Sequence, residues 1–144
     1  MIDINTVQQE IIDEFSILGD DRESTIFYIM ELGDKLPEFP EAEKVDENII
    51  KGCQSKVWLT TRSEGERISF LADSNTDITK GLISLLIRVL SGRKAEEILR
   101  AELYFIERIG MGNIIGSQRS NGLAAMIKQM KRYALAYQSK TNAS

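Results

Sequence analysis

The stretch DSNTDITKGLISLLIRVLSG, residues 73–92, constrains the fold more than any other part of the chain. Its apolar residues surround most of the axis of any helix it forms, and a helix that is apolar nearly all round has to be covered on several sides. The apolar centre, LISLLI at 82–87, is followed by Arg88 and is far shorter than the roughly 20 residues of a membrane span. It reads as a central, largely buried helix, with Ser74 or Asn75 as candidate N-cap, Asp77 in the first turn and Gly92 at the end. The rest of the chain has to supply its cover.

On the N-terminal side, Ile4, Val7, Ile11, Phe15 and Leu18 recur at spacings of three and four, one face of a helix that stops at Gly19. A second helix starts after Asp20 or Asp21, runs through Ile26, Ile29 and Met30, and ends at Gly33. The segment KLPEFPEAEKVDEN (35–48) holds both prolines and many charges, and reads as a surface connection. KVWLTTR (56–62) is rich in strand formers, SEGE (63–66) reads as a turn and ERISFLA (66–72) alternates polar with apolar residues, which together predict a hairpin. NII (48–50) is a candidate third strand. Beyond the central helix, KAEEILR and the region around AELYFIERIG predict short helices, and a long helix is expected from about Asn121 to Tyr137. Its apolar face carries Leu123, Met126, Ile127, Met130 and Ala134. Helices around a small antiparallel sheet describe an α+β domain. A chain of 144 residues needs one core only, so we expect a single domain over residues 1–138 and a flexible tail at 139–144.

Composition narrows the function. A formal net charge of −4 argues against a surface built to neutralise nucleic-acid phosphates. The N-terminus, MIDINTVQQE, carries an early acid and lacks the layout of a signal peptide, so a cytoplasmic location with no membrane association is expected. There is one cysteine and no histidine. A single cysteine excludes an intramolecular disulfide, a CxxC pair and a cysteine-rich metal or cluster site within one chain. Without histidine, Ser–His and Cys–His catalysis is excluded as well, and no motif for a cofactor or metal is present.

Cys53 lies in NIIKGCQSKVWL (48–59), behind Gly52 and between Lys51 and Lys56. Two readings stand open: a small buried hydrophobe, or a nucleophile whose thiolate is favoured by the nearby lysines and presented by a loop. Arg119, in the Gly- and Ser-rich loop IIGSQRSNGLAAM that leads into the last helix, is either a solvated cation or an anion clamp beside the start of that helix. Asp73 is a capping or turn residue unless it faces Cys53, where it would oppose ionisation. Trp58 belongs either to the core or to an apolar wall near the reactive loop.

Taken together, GCQSKVWL (52–59), ADSNTDITKGL (72–82) and SQRSNGLAAMIK (117–128), with ELGDKLPEFP (31–40) upstream, resemble in order and spacing the signature blocks of SufE-type sulfur acceptor proteins. The resemblance implies the α+β fold shared with IscU-like cluster scaffolds. It implies that Cys53 accepts sulfur from the persulfide of a pyridoxal-phosphate cysteine desulfurase of SufS type and passes it toward a SufBCD-like scaffold. It places on Arg119 the family's later arginine, a support for the sulfur anion or the loop. On this reading the protein stimulates the desulfurase and is not an enzyme with its own small-molecule substrate; the alternative is a regulator that acts by docking alone. One departure is visible. Where the family's second block has Asp-Ser-Asp, this chain has Asp73-Ser74-Asn75, which keeps a hydrogen-bonding group and loses a charge. We expect Cys53 to rest in a partly protected loop that opens on docking.

Overall fold

The computed structural model describes residues 2–143, with side chains described through residue 140. Helices α1 (Ile4–Ser16) and α2 (Arg22–Asp34) each begin behind an aspartate. Asp3 accepts from the Thr6 N–H, and Asp21 from those of Glu23 and Ser24. Such caps satisfy N–H groups that a helix start leaves unpaired, each worth about 1 kcal/mol. The connection after α2 is less superficial than its charges suggest: it contains two 3-10 turns, Glu41–Glu43 and Asp46–Asn48, and buries Phe39.

Strands β1 (Val57–Glu64) and β2 (Arg67–Ser74) pair antiparallel with Glu64 opposite Arg67. The two-residue loop between them calls for a positive φ, which Gly65 supplies at 62°. The chain continues through α3 (Asp77–Leu90), β3 (Arg93–Lys94), α4 (Ala95–Arg100), α5 (Phe105–Ile109) and α6 (Met111–Ala143). Among the described residues the strands form one sheet in the order β1-β2-β3, all antiparallel, so the architecture is α+β. The expected third strand at 48–50 is reduced to a single bridge between Ile49 and Trp58. The third strand comes instead from the far side of β2, where the chain leaves α3 and the Gly92 N–H meets the Ile68 carbonyl at 2.7 Å.

Helix α3 is the covered helix the sequence demands. Leu82, Ile83, Leu85, Leu86, Val89 and Leu90 are buried, and α1, α2, β2 and α6 pack around them. Burying each of these side chains contributes about 1.5–3 kcal/mol. Its contact with α2 is made backbone to backbone: a Cβ on Gly81 would lie 1.9 Å from the Ile29 carbonyl oxygen. At the edge, Arg88 of α3 pairs with Glu14 of α1.

Two expectations need correcting. The residue ahead of α3 is Thr76, without a side-chain cap; Ser74 and Asn75 are engaged elsewhere. The last helix does not begin near Asn121. Helical backbone extends from Met111 to Ala143, broken at Gly116 with φ 84° and ψ 171°, so the Gly- and Ser-rich stretch is helix and not loop. The same span carries helical backbone as far as Ala143.

Candidate functional site

The loop that carries Cys53 is closed at its base, where the Ile50 N–H donates to the Val57 carbonyl at 2.8 Å. Lys56 is tied to the segment leading into α3. Its N–H donates to Asn75 Oδ1 at 3.0 Å, and its carbonyl accepts from the Ser74 hydroxyl at 2.8 Å and the Asn75 N–H at 3.2 Å. These bonds withdraw Ser74 and Asn75 from capping. Asn75 therefore keeps a hydrogen bond to the loop without the charge of an aspartate. Ser55 is tied to the same helix start, its hydroxyl oxygen accepting from Thr76 Oγ1 at 3.0 Å and Thr79 Oγ1 at 3.3 Å.

Gly52 adopts φ 99°, a conformation that other residues rarely take, and the turn it makes brings the next side chain to α6. There the half-buried Cys53 thiol donates to the Gly122 carbonyl at 3.5 Å. Gly122 lets the helix backbone come this close: a Cβ there would sit 3.5 Å from the sulfur. Beside the thiol lies a pocket of about 110 Å³. Its apolar wall includes Leu82 and Met126, its polar wall Ser55, Thr76 and Thr79, and Gln118 and Arg119 stand on the α6 side. The lining contains no carboxylate.

Arg119 is exposed, and its side chain makes no hydrogen bond or ion pair among the described residues. It sits in the first turn after the break at Gly116, where unpaired N–H groups and the helix dipole favour negative charge. The free cation and the sulfur thus share one pocket, although 66 positions of chain number separate 53 from 119.

The resting thiol is not the activated group that its lysine neighbours suggest. Lys51 and Lys56 are exposed, and burial pushes the Cys53 pKa up, because a thiolate loses solvation there. Asp73 does not face Cys53. It lies in β2, where Lys44 Nζ approaches at 3.0 Å and Lys80 Nζ at 3.5 Å. Burial alone would raise its carboxyl, but the Lys44 bond, the Ser74 N–H and the two lysine charges together lower it. Trp58, opposite Asp73, is only partly buried, and Lys44 Nζ stands 5.6 Å from its ring centre. A larger open groove of about 730 Å³ between the 101–104 segment, α5 and α6 includes neither Cys53 nor Arg119. Among the described residues no group of three or more acidic or cysteine side chains is arranged to hold a metal ion, and no helix is long and apolar enough to cross a membrane.

Residues 9–134 match the family described as SufE, Fe-S metabolism associated domain. The chain belongs to the SufE family. An uncharacterized SufE-like protein of Rhizobium meliloti (strain 1021) is 38% identical over 134 residues, covering 90% of this chain and 95% of that protein. SufE-like protein 1, chloroplastic/mitochondrial, of Arabidopsis thaliana is 36% identical over 131 residues, covering 88% of this chain and 34% of the plant protein. A hypothetical protein from Thermus thermophilus, solved in solution, shares the fold with a TM-score of 0.75 at 18% identity, covering 92% of this chain and 96% of that one. Membership in SufE associates the chain with iron–sulfur metabolism.

Within this pocket, sequence reasoning singled out Cys53 and Arg119 and missed Gly122, Ser55 and Thr79. A glycine in a helix and a threonine behind a helix start carry no chemical signal of their own. Only the fold brings Gly122 to the sulfur and ties Thr79 to Ser55.

Proposed function

We propose that this SufE family member accepts sulfur on Cys53 from the persulfide of a SufS-like cysteine desulfurase and passes it toward iron–sulfur cluster assembly on a SufBCD-like scaffold. The observation that carries this reading is a single half-buried thiol on a carboxylate-free pocket whose rim holds Arg119, unpaired among the described residues. The transfer follows thiol–disulfide exchange. The Cys53 thiolate attacks the outer sulfur of the donor persulfide and a new S–S bond forms. The old S–S bond breaks, and its electron pair leaves on the donor cysteine as a thiolate. No outside oxidant or reductant enters, and Arg119 offsets the charge of the attacking thiolate and that of the new persulfide once it loses its proton.

A thiol whose pKa is raised by burial is in its less reactive form. The isolated carrier is therefore quiescent, and docking has to move the loop into a setting where Cys53 ionises. Lys51, Gly52 and Gln54 are exposed and offer the partner its grip on that loop. The protein acts as acceptor and activator, in the cytoplasm, and the desulfurase remains the catalyst. Desulfurase turnover, followed as alanine release from cysteine without added reductant, tests this. Wild type should accelerate turnover and Cys53→Ser should not. Equal acceleration by both would make the protein a regulator that works by docking alone.

A further inference from the structure

The pocket beside Cys53 holds a donor that the resting thiol leaves unused. Ser55 Oγ accepts from Thr76 and Thr79, and its own proton has no acceptor among the described residues. A hydroxyl that accepts from two others is polarised and becomes a stronger donor. The Cys53 sulfur has the Gly122 carbonyl of α6 as its hydrogen-bond partner, not Ser55. Yet Ser55 and Cys53 line the same pocket of about 110 Å³. That volume exceeds the roughly 30 Å³ one water occupies in the liquid, so a single added atom fits without displacing the fold. A second sulfur lies about 2.05 Å beyond the first along an S–S bond, and the pocket beside the thiol has room to take it.

We infer that the Ser55 hydroxyl is the hydrogen-bond donor to the outer sulfur of a Cys53 persulfide, and that it does not serve the thiol itself. The inference rests on the sulfur-acceptor reading above. A persulfide is more acidic than a thiol, and its charge lies on the outer atom, where a donor acts on it directly. Arg119 is the one charged side chain in the pocket lining of the resting protein; Lys51, Lys56 and Asp77 flank it from the loop and the start of α3 and are exposed. Ser55 adds a short-range, directional contact to that diffuse field. A persulfide anion held in this way repels a stray thiolate, so the sulfur stays on Cys53 until the acceptor partner opens the loop.

The test loads Cys53 with inorganic polysulfide, without a desulfurase. The persulfide anion is titrated by its near-ultraviolet absorbance, and the unloaded thiol by its alkylation rate against pH. Removing one hydroxyl from a partly buried loop leaves the core untouched, which circular dichroism verifies. Ser55→Ala should raise the apparent pKa of the persulfide by about one unit, a tenfold loss of anion below that pH, and leave the thiol titration where it was. Ser55→Thr should restore the wild-type titration. A Thr76→Val/Thr79→Val double variant removes the tethers but spares the Ser55 proton, and should shift the persulfide by less than half as much. Equal shifts of thiol and persulfide, an unshifted persulfide in Ser55→Ala, or a double variant that reproduces Ser55→Ala would each overturn the inference. An unshifted titration on loaded protein sinks the role of Ser55 alone, whereas failure of a desulfurase to load Cys53 at all sinks the acceptor reading.

Discussion

Two glycines bring a helix against its neighbour in this protein, and the contacts are built differently. At Gly81 in α3, an added Cβ would lie 1.9 Å from the Ile29 carbonyl oxygen and 2.6 Å from its carbon, so two backbones meet with no space between them. At Gly122 in α6, an added Cβ would meet the Cys53 sulfur at 3.5 Å, an ordinary van der Waals distance. The first contact locks α2 to the buried helix. The second seats a loop through one long S–H···O hydrogen bond, with hydroxyl tethers at its edge. The buried helix is thus fixed backbone to backbone, whereas the loop is held against α6 by hydrogen bonds and an ordinary van der Waals contact.

The contrast breaks most visibly at Gly81. Gly81→Ala should cost more than about 3 kcal/mol, read from urea unfolding, because backbone atoms must separate to admit a methyl. A loss below about 1 kcal/mol would show that the helices are free to part. Arg119→Ala comes next and should leave the unfolding midpoint in place, since the side chain has no partner to lose among the described residues. Sulfur uptake from a desulfurase should fall about tenfold, the scale of one charge-assisted contact; unchanged uptake would return Arg119 to the solvated surface. Gly122→Ala is milder. Gains in helix propensity of up to about 1 kcal/mol offset the crowding, so stability should hold, while the methyl covers the sulfur and slows its alkylation several-fold. An unchanged alkylation rate would mean that the sulfur does not rest on that face.

The smallest effect lies at Asp73, whose carboxyl is lowered on balance in the fold although burial opposes this. A carboxyl lowered by folding contributes stability above its unfolded pKa and loses it as pH falls through the folded value. Asp73→Asn should therefore flatten the decline of the denaturant midpoint below about pH 4 without altering Cys53 alkylation. An identical acid slope in both proteins would remove the lysine pair from the account.

Much of the frame is legible in the chain because it follows from periodicity. The apolar girdle of α3, the three-four spacing of α1 and the alternation in the hairpin each call for one structure. What escapes is set by distant partners. Ser74 and Asn75 have the chemistry of N-caps, but Lys56 in the cysteine loop claims them both. Gly116, Ser117, Ser120 and Gly122 have weak helix propensity and read as loop, yet the backbone there is helical apart from the break at Gly116, and the small residue at 122 is what lets the sulfur approach. The site divides in the same way. Cys53 and Arg119 stand out by residue type, whereas Ser55, Thr79 and Gly122 acquire meaning only from contacts that span 24 and 69 positions.

The central claim is that Cys53 carries the sulfur. Intact-mass measurement under non-reducing conditions, after incubation with a cysteine desulfurase and free cysteine, tests it on wild type and Cys53→Ser side by side. The account predicts a gain of sulfur on wild type that a reductant removes, and no gain on the variant. An equal gain on both proteins, or none on wild type while desulfurase turnover still rises, would contradict it.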